Sequence, residues 1–310
     1  MGLRANPTYR QRRFGAEVRA IRERAGLSTA EAAGVMGMRQ SHISNVEAGR
    51  TSLSPERLRA LAAANGGENT TRTDALVELG QASGKGWWTE YREQLRPSLL
   101  DLAELEDRAV NIVCYEPMFI PGLFQSLAYA TAGYQGGYAL SSREQQGKEV
   151  DFRMQRQRVL KGERPPRIHA VIHEAALHVS WGSSEIMRDQ LLRLIEVGRL
   201  PNVTLQVLPF DGRVGFGTSF TLLEPAVPQL STVVVEHVEK PLYLGDPEAL
   251  ARYRNWFARL CEAALPPLAP EVNTEAYLVK NSLGLIQRLL YPLLQEEPHV
   301  SAHVAEVELQ

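Results

Sequence analysis

The first sixty residues alternate short amphipathic stretches with glycines. A stretch from Arg10 to Arg24 carries apolar residues at helical spacing, namely Phe14, Val18 and Ile21. Gly26 follows as a stop signal, so this stretch is predicted to be a helix. By the same reasoning four more helices are predicted, which open at Ser28, Gln40, Ser54 and Asp74. The N-terminal segment is therefore predicted to be all-α.

The second and third of these helices are spaced as a tight pair. Ser28 and Glu31 have the spacing of a capping box, which opens the second helix. Ala33 is small enough for two helices to cross closely. Gly37 tolerates the left-handed conformation of a sharp turn four residues later. The pattern therefore predicts a helix-turn-helix unit.

The third helix, predicted from Gln40 to Ala48, has an apolar and a polar face. Ile43 and Val46 anchor the apolar face. The other face carries side chains that can hydrogen-bond to base edges: Gln40, Ser41, His42, Ser44 and Asn45. Gln and Asn can pair bidentately with adenine in the major groove. This face is chemically suited to reading a DNA sequence.

The stretch from Phe14 to Gly66 resembles the lambda-repressor-like helix-turn-helix domains of the XRE family. The resemblance rests on RxxxGLS (Arg22 to Ser28), on HISNVEAGR (His42 to Arg50) and on the turn at Ala33 and Gly37. It implies base contacts by Gln40, Ser41, Ser44 and Asn45. It implies DNA backbone contacts by Thr29, Arg39 and Arg50.

The resemblance also implies a structural pair, in which Glu47 binds Arg22 and fixes the third helix against the first. Two residues depart from the family pattern. Thr29 replaces the glutamine that usually opens helix two, and Ala48 replaces a polar residue before the glycine. Two backbone contacts are therefore expected to be weakened or replaced. A bare helical protein-interaction module is the alternative to DNA binding.

Beyond residue 86 the pattern becomes mixed. Helical periodicity occurs at Trp88 to Leu105, Leu123 to Gly133, Ser142 to Leu160, Ser184 to Val197, Pro247 to Leu265 and Glu275 to Leu294. Strand-like runs lie between these stretches, at Asn111 to Tyr115, Ile168 to Ile172, Thr204 to Leu208, Ser219 to Leu223 and Thr232 to His237. Periodicity leaves the order of the strands open.

The predicted fold class is multidomain, with an all-α helix-turn-helix head followed by a mixed α/β (α+β) regulatory domain. The head spans residues 8–66, and a polar, glycine-rich linker with a short helix spans 67–86. The α/β regulatory or partner-binding domain spans 87–265. A helical extension and tail spans 266–310, and its helix is expected to pack on the body or to form a dimer contact.

Charge divides between the two parts of the chain. Residues 1–66 hold 11 Arg or Lys against five Asp or Glu, although the whole chain has a formal net charge of −2. A basic head on an acidic body suits a polyanion-binding module, although an ordinary solvated surface has the same composition. The chain has neither a long apolar run nor a signal-peptide core, and its two cysteines have no metal or redox spacing. A cytoplasmic protein without a membrane span is expected.

The sequence contains near misses to catalytic motifs. His173, Glu174 and His178 resemble a zinc protease helix, but the second histidine falls one position too late. Gly212, Gly215 and Gly217 precede no helix that could complete a phosphate loop. We therefore expect no enzyme activity, no catalytic residue, no metal and no cofactor.

A possible ligand or partner region lies in the first half of the α/β domain. Its residues are Tyr115, Phe119, Phe124, Tyr129, Arg153 and Arg156. The aromatic residues suit either a binding pocket or the core, and core packing is favoured. The arginines suit either an anionic ligand or a solvated helix face, and the solvated face is favoured.

The second domain resembles the C-terminal domain of the WhiJ-like regulators of actinobacteria. Five segments carry this resemblance in order: Tyr115 to Ala130, Phe152 to Leu160, Val171 to Leu177, Met187 to Leu194 and Pro201 to Phe210. The resemblance implies a transcriptional regulator or an antitoxin-like protein, with a small acidic protein encoded nearby as a possible partner.

The function predicted is sequence-specific binding of double-stranded DNA, regulated by a small protein partner or ligand at the second domain. A homodimer is expected, because one head contacts few phosphates and bases. An antitoxin-like protein that sequesters a small partner and autoregulates is the alternative, and an enzyme in the second domain ranks last.

Overall fold

A computed structural model describes residues 4–64, 66, 70–136, 141–213, 217–237, 240–268 and 280–294. Five helices form the head: α1 Tyr9–Arg24, α2 Thr29–Val35, α3 Gln40–Glu47, α4 Pro55–Ala64 and α5 Thr70–Gln81. A mixed α/β body follows, so the predicted fold class is confirmed.

The head is built around one apolar cluster, to which every helix contributes. Phe14 and Val18 of α1 are buried against Ile43 and Val46 of α3. Leu76 of α5 is fully buried in the same cluster. Residues 70–81 therefore belong to the packed head, whereas the sequence analysis placed a linker with a short helix there.

A close helix crossing fixes α3 against α1. A Cβ atom on Gly15 would overlap the backbone carbonyl oxygens of Val46 and Glu47 at the end of α3. At the α2–α3 turn Gly37 has a φ of +58°, a conformation that glycine adopts without steric penalty. Gly15 was missed by the sequence analysis, because a glycine inside a helix pattern does not reveal what packs against it.

The body is a six-stranded sheet with helices on both faces. The strands are β1 Asn111–Glu116, β2 Arg167–His173, β3 Val203–Leu208, β4 Phe220–Glu224, β5 Thr232–Val235 and β6 Leu242–Leu244. Their order is β3-β2-β1-β4-β5-β6, with β1 to β3 parallel and β4 to β6 antiparallel to their neighbours. The helices are α6 Pro97–Arg108, α7 Leu127–Gly136, α8 Arg143–Arg156, α9 Glu174–His178, α10 Ser184–Gly198, α11 Pro247–Ala263 and α12 Ser282–Leu293.

The predicted strands are present within two residues of their predicted bounds, and β6 is added. Three predicted helix bounds were wrong at prolines or short 3-10 turns. Pro97 divides the helix predicted from Trp88, so that a 3-10 turn at Trp87–Tyr91 precedes α6. α7 begins at Leu127, and α8 ends at Arg156 with a 3-10 turn beyond it. The helix predicted from Glu275 is described only as α12, since residues 269–279 lie outside the described part.

Helix α12 packs on the body. Leu285, Ile286 and Leu290 are buried in the cluster that also contains residues of α10 and β3. The hydroxyl of Ser282 accepts a hydrogen bond from the N–H of Val207 at 2.9 Å. The described part of the extension is therefore a component of the body core.

The first turns of α1 join the head to the body. The N–H of Tyr9 donates to a carboxyl oxygen of Asp101 on α6, and the Tyr9 ring stacks on Tyr243 at 4.6 Å. Arg10 forms a buried ion pair with Glu104, also on α6, at 2.7 Å. From the body, Leu230 reaches into the apolar cluster of the head. Since this ion pair is buried, it favours one alignment of the two domains, because a shift that kept the charges buried but apart would leave each without its partner.

We expect Gly15→Ala to destabilise the head by about 1–3 kcal/mol, the usual cost of forcing extra atoms into a packed contact. Urea unfolding followed by circular dichroism measures the free energy. Gly34→Ala is the matched control: it is also in a helix of the head, and a Cβ there meets no atom within 4 Å. The alanine should leave stability equal or raise it by up to about 1 kcal/mol. Equal losses in both variants would refute the close crossing.

Burial raises the pKa of Asp101 to about 6, although the Tyr9 N–H and Arg12 partly oppose this. A carboxyl with a raised pKa stabilises the fold fully below its unfolded pKa, and this contribution is lost as the pH rises through the folded value. Asp101→Asn should therefore be more stable than the native protein above pH 6, by about 3 kcal/mol.

Below about pH 4 the two proteins should be equally stable. Urea unfolding between pH 4 and pH 8 measures this difference, with Asp107→Asn as the control because Asp107 is exposed on the same helix. A pH-independent difference would contradict the burial argument.

Candidate DNA-binding surface and ligand cavity

Helix α3 exposes the polar face that the sequence predicts. Gln40, Ser41 and Ser44 are exposed, together with His42, and Asn45 is half-buried. Ile43 and Val46 on the opposite face are each 1% exposed. A short helix whose apolar side is fully covered can enter a groove without uncovering its own core.

An ion pair orients this helix. Arg22 of α1 binds both carboxylate oxygens of Glu47, at 2.6 and 3.1 Å. A third nitrogen of Arg22 donates to the carbonyl oxygen of Leu27 at 2.9 Å. Both side chains of the pair are 11% exposed. The bidentate geometry fixes direction as well as distance, because a planar guanidinium matches a carboxylate in one orientation.

Two of the proposed DNA contacts are already linked to each other. The side-chain amide of Gln40 donates to the hydroxyl of Thr29 at 2.9 Å, which joins the first turns of α3 and α2. The amide of Asn45 donates to the carbonyl oxygen of Ser41 at 3.0 Å. The side-chain carbonyl oxygens of Gln40 and Asn45 can accept hydrogen bonds from a base, since these two bonds use only amide donors.

Cations flank the polar face of α3. Arg39 and Arg57 lie on a concave surface together with Ser41, His42 and Asn45. Arg50 is exposed beyond the end of α3. The sequence analysis did not name Arg57, although the helix start at Pro55 places Arg57 in the first turn of α4. These arginines suit phosphates on both sides of a base-reading helix.

A cavity of about 210 Å³ lies in the body at the carboxyl end of β1. This volume is more than tenfold the roughly 10–15 Å³ needed to hold one water. Five of the six residues proposed for ligand binding are among its lining: Phe119, Phe124, Tyr129, Arg153 and Arg156. Tyr115 is not part of this lining: it packs on Phe220 in the core on the opposite face of the sheet, which is the alternative that the sequence favoured for the aromatic residues. Side chains alternate between the faces of a strand, so that Cys114 and Glu116 face the cavity instead.

The arginines of α8 are not the solvated face that the sequence analysis favoured. Arg156 is buried and binds both oxygens of Glu106 on α6, at 2.8 and 2.6 Å. Arg153 donates to the side-chain oxygen of Gln125 at 2.8 Å and to the Tyr134 hydroxyl at 3.2 Å. Helical periodicity could not show these contacts, because their partners come from other elements.

Two glutamates at the cavity were also missed by the sequence analysis. Glu116 ends β1 and is 9% exposed, and Glu236 follows β5. Burial raises the pKa of Glu116 well above its ordinary range, and the nearby charge of Glu236 adds to this, although Arg153 opposes both. The sequence does carry one signal for Glu116, because a charged residue at the end of a buried strand indicates a functional position.

One helix borders both the cavity and the head. Leu102 and Glu106 of α6 line the cavity. Asp101 and Glu104 of the same helix bind Tyr9 and Arg10 of the head. Any movement of α6 therefore shifts side chains at the cavity and at the contact with the head.

The near misses to catalytic motifs have structural roles. The Nδ1 of His173 accepts the N–H of Ala175 at 3.0 Å and so caps α9, while Phe210 packs on His173 and His178. Gly215 lies outside the described residues. Within the described ranges, no group of three His, Cys, Asp or Glu side chains could hold a metal ion. None of the helices in those ranges combines the length and apolar character required to cross a bilayer.

Two family models match the chain. Residues 13–75 match a helix-turn-helix domain, which supports a DNA-binding regulator of XRE-like type. Residues 99–269, more than half of the chain, match a domain of unknown function, DUF5753. No curated protein and no solved structure matches the chain. The chain therefore belongs to the DUF5753 family, with a helix-turn-helix domain in front of the family domain.

Proposed function

We propose that this protein is a sequence-specific transcriptional regulator that inserts α3 into the major groove of double-stranded DNA. The observation that carries the proposal is the exposed polar face of α3, held from behind by the Arg22–Glu47 pair and the crossing at Gly15. Gln40, Ser41, Ser44 and Asn45 read base edges. Thr29, Arg39, Arg50 and Arg57 bind phosphates.

The regulator binds DNA as a homodimer in this proposal. An eight-residue recognition helix reaches only a few bases. Two heads on half-sites one helical turn apart, about 34 Å, give the affinity that specific regulators need.

The body acts as the sensory domain. The cavity supports this role, because apolar and aromatic side chains in its lining surround a small set of charged groups that could orient a ligand. Helix α6 supports a path to the DNA, because one of its faces borders the cavity and another binds α1 of the head. A ligand that favours one position of α6 would change DNA affinity, and DNA would change ligand affinity by the same factor.

Selection of sites from a randomised duplex library by the full-length protein tests the proposal, and a recurrent motif is expected. Combined Gln40→Ala and Asn45→Ala should lower affinity for the selected site by about 30-fold or more, since each lost bidentate contact costs about 1–3 kcal/mol. Affinity for random duplex and its salt dependence should hardly change. Gln135→Ala, exposed on α7, is the matched control. Failure to select any motif, or a parallel loss of both kinds of binding, would refute base reading by α3.

Replacing Arg39 or Arg57 by Ala should weaken binding to all duplexes alike, because a phosphate contact carries no base information. Each replacement should reduce the slope of log affinity against log salt by about one. Fluorescence anisotropy across a salt series measures both quantities. Arg59→Ala is the control, since Arg59 is exposed on α4 and pairs with Asp74 at 3.1 Å. A change of motif in either variant would make that arginine a base reader instead.

A further inference from the structure

We propose that the body cavity binds a small organic cation, a protonated amine or amidine on an aromatic or apolar group, with Glu116 as its counter-ion. The inference rests on the sensory role proposed for the body and names the chemical class of the ligand at that site.

The buried carboxyl of Glu116 carries the inference. This side chain is 9% exposed and lines the cavity. Among the described residues, neither a hydrogen bond nor an ion pair to its carboxyl is found, and its nearest electrostatic influences are Glu236 and Arg153. Burying a carboxyl without a partner is costly, and such groups usually face a ligand, water or ion that completes them.

The cations of the cavity, by contrast, bind neighbouring side chains, although the buried Nε of Arg153 has no hydrogen-bond partner among the described residues. The Arg156 guanidinium is neutralised by both oxygens of Glu106. Arg153 donates to Gln125 and Tyr134 and lies 4.8 Å from the centre of the Tyr134 ring. An anionic ligand would have to displace the contacts of Arg156 or reach the buried Nε of Arg153, and it would meet Glu116 and Glu236. A cationic ligand disturbs none of them and lets Glu116 ionise.

The remaining lining describes the rest of the ligand. Phe124 and Tyr129 are buried walls, while Phe119 is 45% exposed and stacks on Trp181 at 5.2 Å. Aromatic faces attract cations and pack against apolar groups. Glu236 is exposed among the lining residues, so it marks the side where the cavity meets solvent and a second carboxylate can attract a cation.

The test compares three probes of nearly equal shape on the full-length protein: benzylamine, benzyl alcohol and benzoate. Isothermal titration calorimetry at neutral pH should give saturable binding of benzylamine at one site per chain. Binding of benzyl alcohol and benzoate should be at least tenfold weaker. Glu116→Gln should abolish benzylamine binding, and Glu236→Gln should weaken it. Glu248→Gln, 89% exposed on α11, should leave it unchanged.

Stability and DNA binding are measured alongside. Glu116→Gln keeps the shape of the side chain and removes only the ability to ionise. Because burial raises the pKa of Glu116, the variant should melt at the native temperature or above it, and it should keep the native DNA affinity without ligand. Loss of benzylamine binding in a folded, DNA-binding variant then reports on the cavity alone.

Equal binding of benzyl alcohol would show that Glu116 serves a neutral ligand, and preferred binding of benzoate would make the arginines the ligand groups. Either result, or binding of benzylamine that survives Glu116→Gln, would overturn the proposal, as would failure of all three probes to bind. A failure to select a DNA motif would instead refute the regulator proposal and leave the cavity result standing.

Discussion

Helix α1 belongs to two structures at once, and the arrangement of the molecule depends on how its two sides are buried. One side holds the head together, through Phe14 and Val18 in the apolar cluster and through the close crossing of α3 at Gly15. The first turn, through Tyr9 and Arg10, binds Asp101 and Glu104 of the body. A shift of α1 that kept Arg10 and Glu104 buried but apart would leave each charge without its partner, so these contacts favour one position of α3 relative to the body as well as to the head.

Helix α6 likewise has two sets of contacts, one with the head and one at the cavity. Its acidic residues are divided between two tasks, with Asp101 and Glu104 bound to α1 and Glu106 bound to Arg156 at the cavity. A helix moves largely as a rigid element, so these contacts cannot change independently. The proposed regulation therefore needs no long chain of couplings. It requires that a ligand beside Glu106 and Glu116 favour one position of a single helix.

Most features of the head could be predicted from the sequence, whereas its long-range contacts could not. In the head, capping residues, glycines and helical periodicity are local signals, and they defined the helices, the turn at Gly37 and the exposed face from Gln40 to Asn45. The Arg22–Glu47 pair is long-range, and it was expected only through resemblance to a family. The burial of Leu76, which makes α5 part of the head, was hidden because an amphipathic helix beside polar glycine-rich segments looks like part of a linker.

The sequence by itself determined where most of the helices and strands lie and which face of α3 is polar, because those properties depend on neighbours within a few positions. Only the tertiary structure decided the order of the strands, the exclusion of Tyr115 from the cavity and the meeting of Arg153, Arg156, Glu106 and Glu116. These residues come from α6, β1 and α8, and a one-dimensional pattern carries no information about which elements pack together. The docking of the head was hidden for the same reason, since Tyr9 and Arg10 lie more than ninety residues before their partners Asp101 and Glu104.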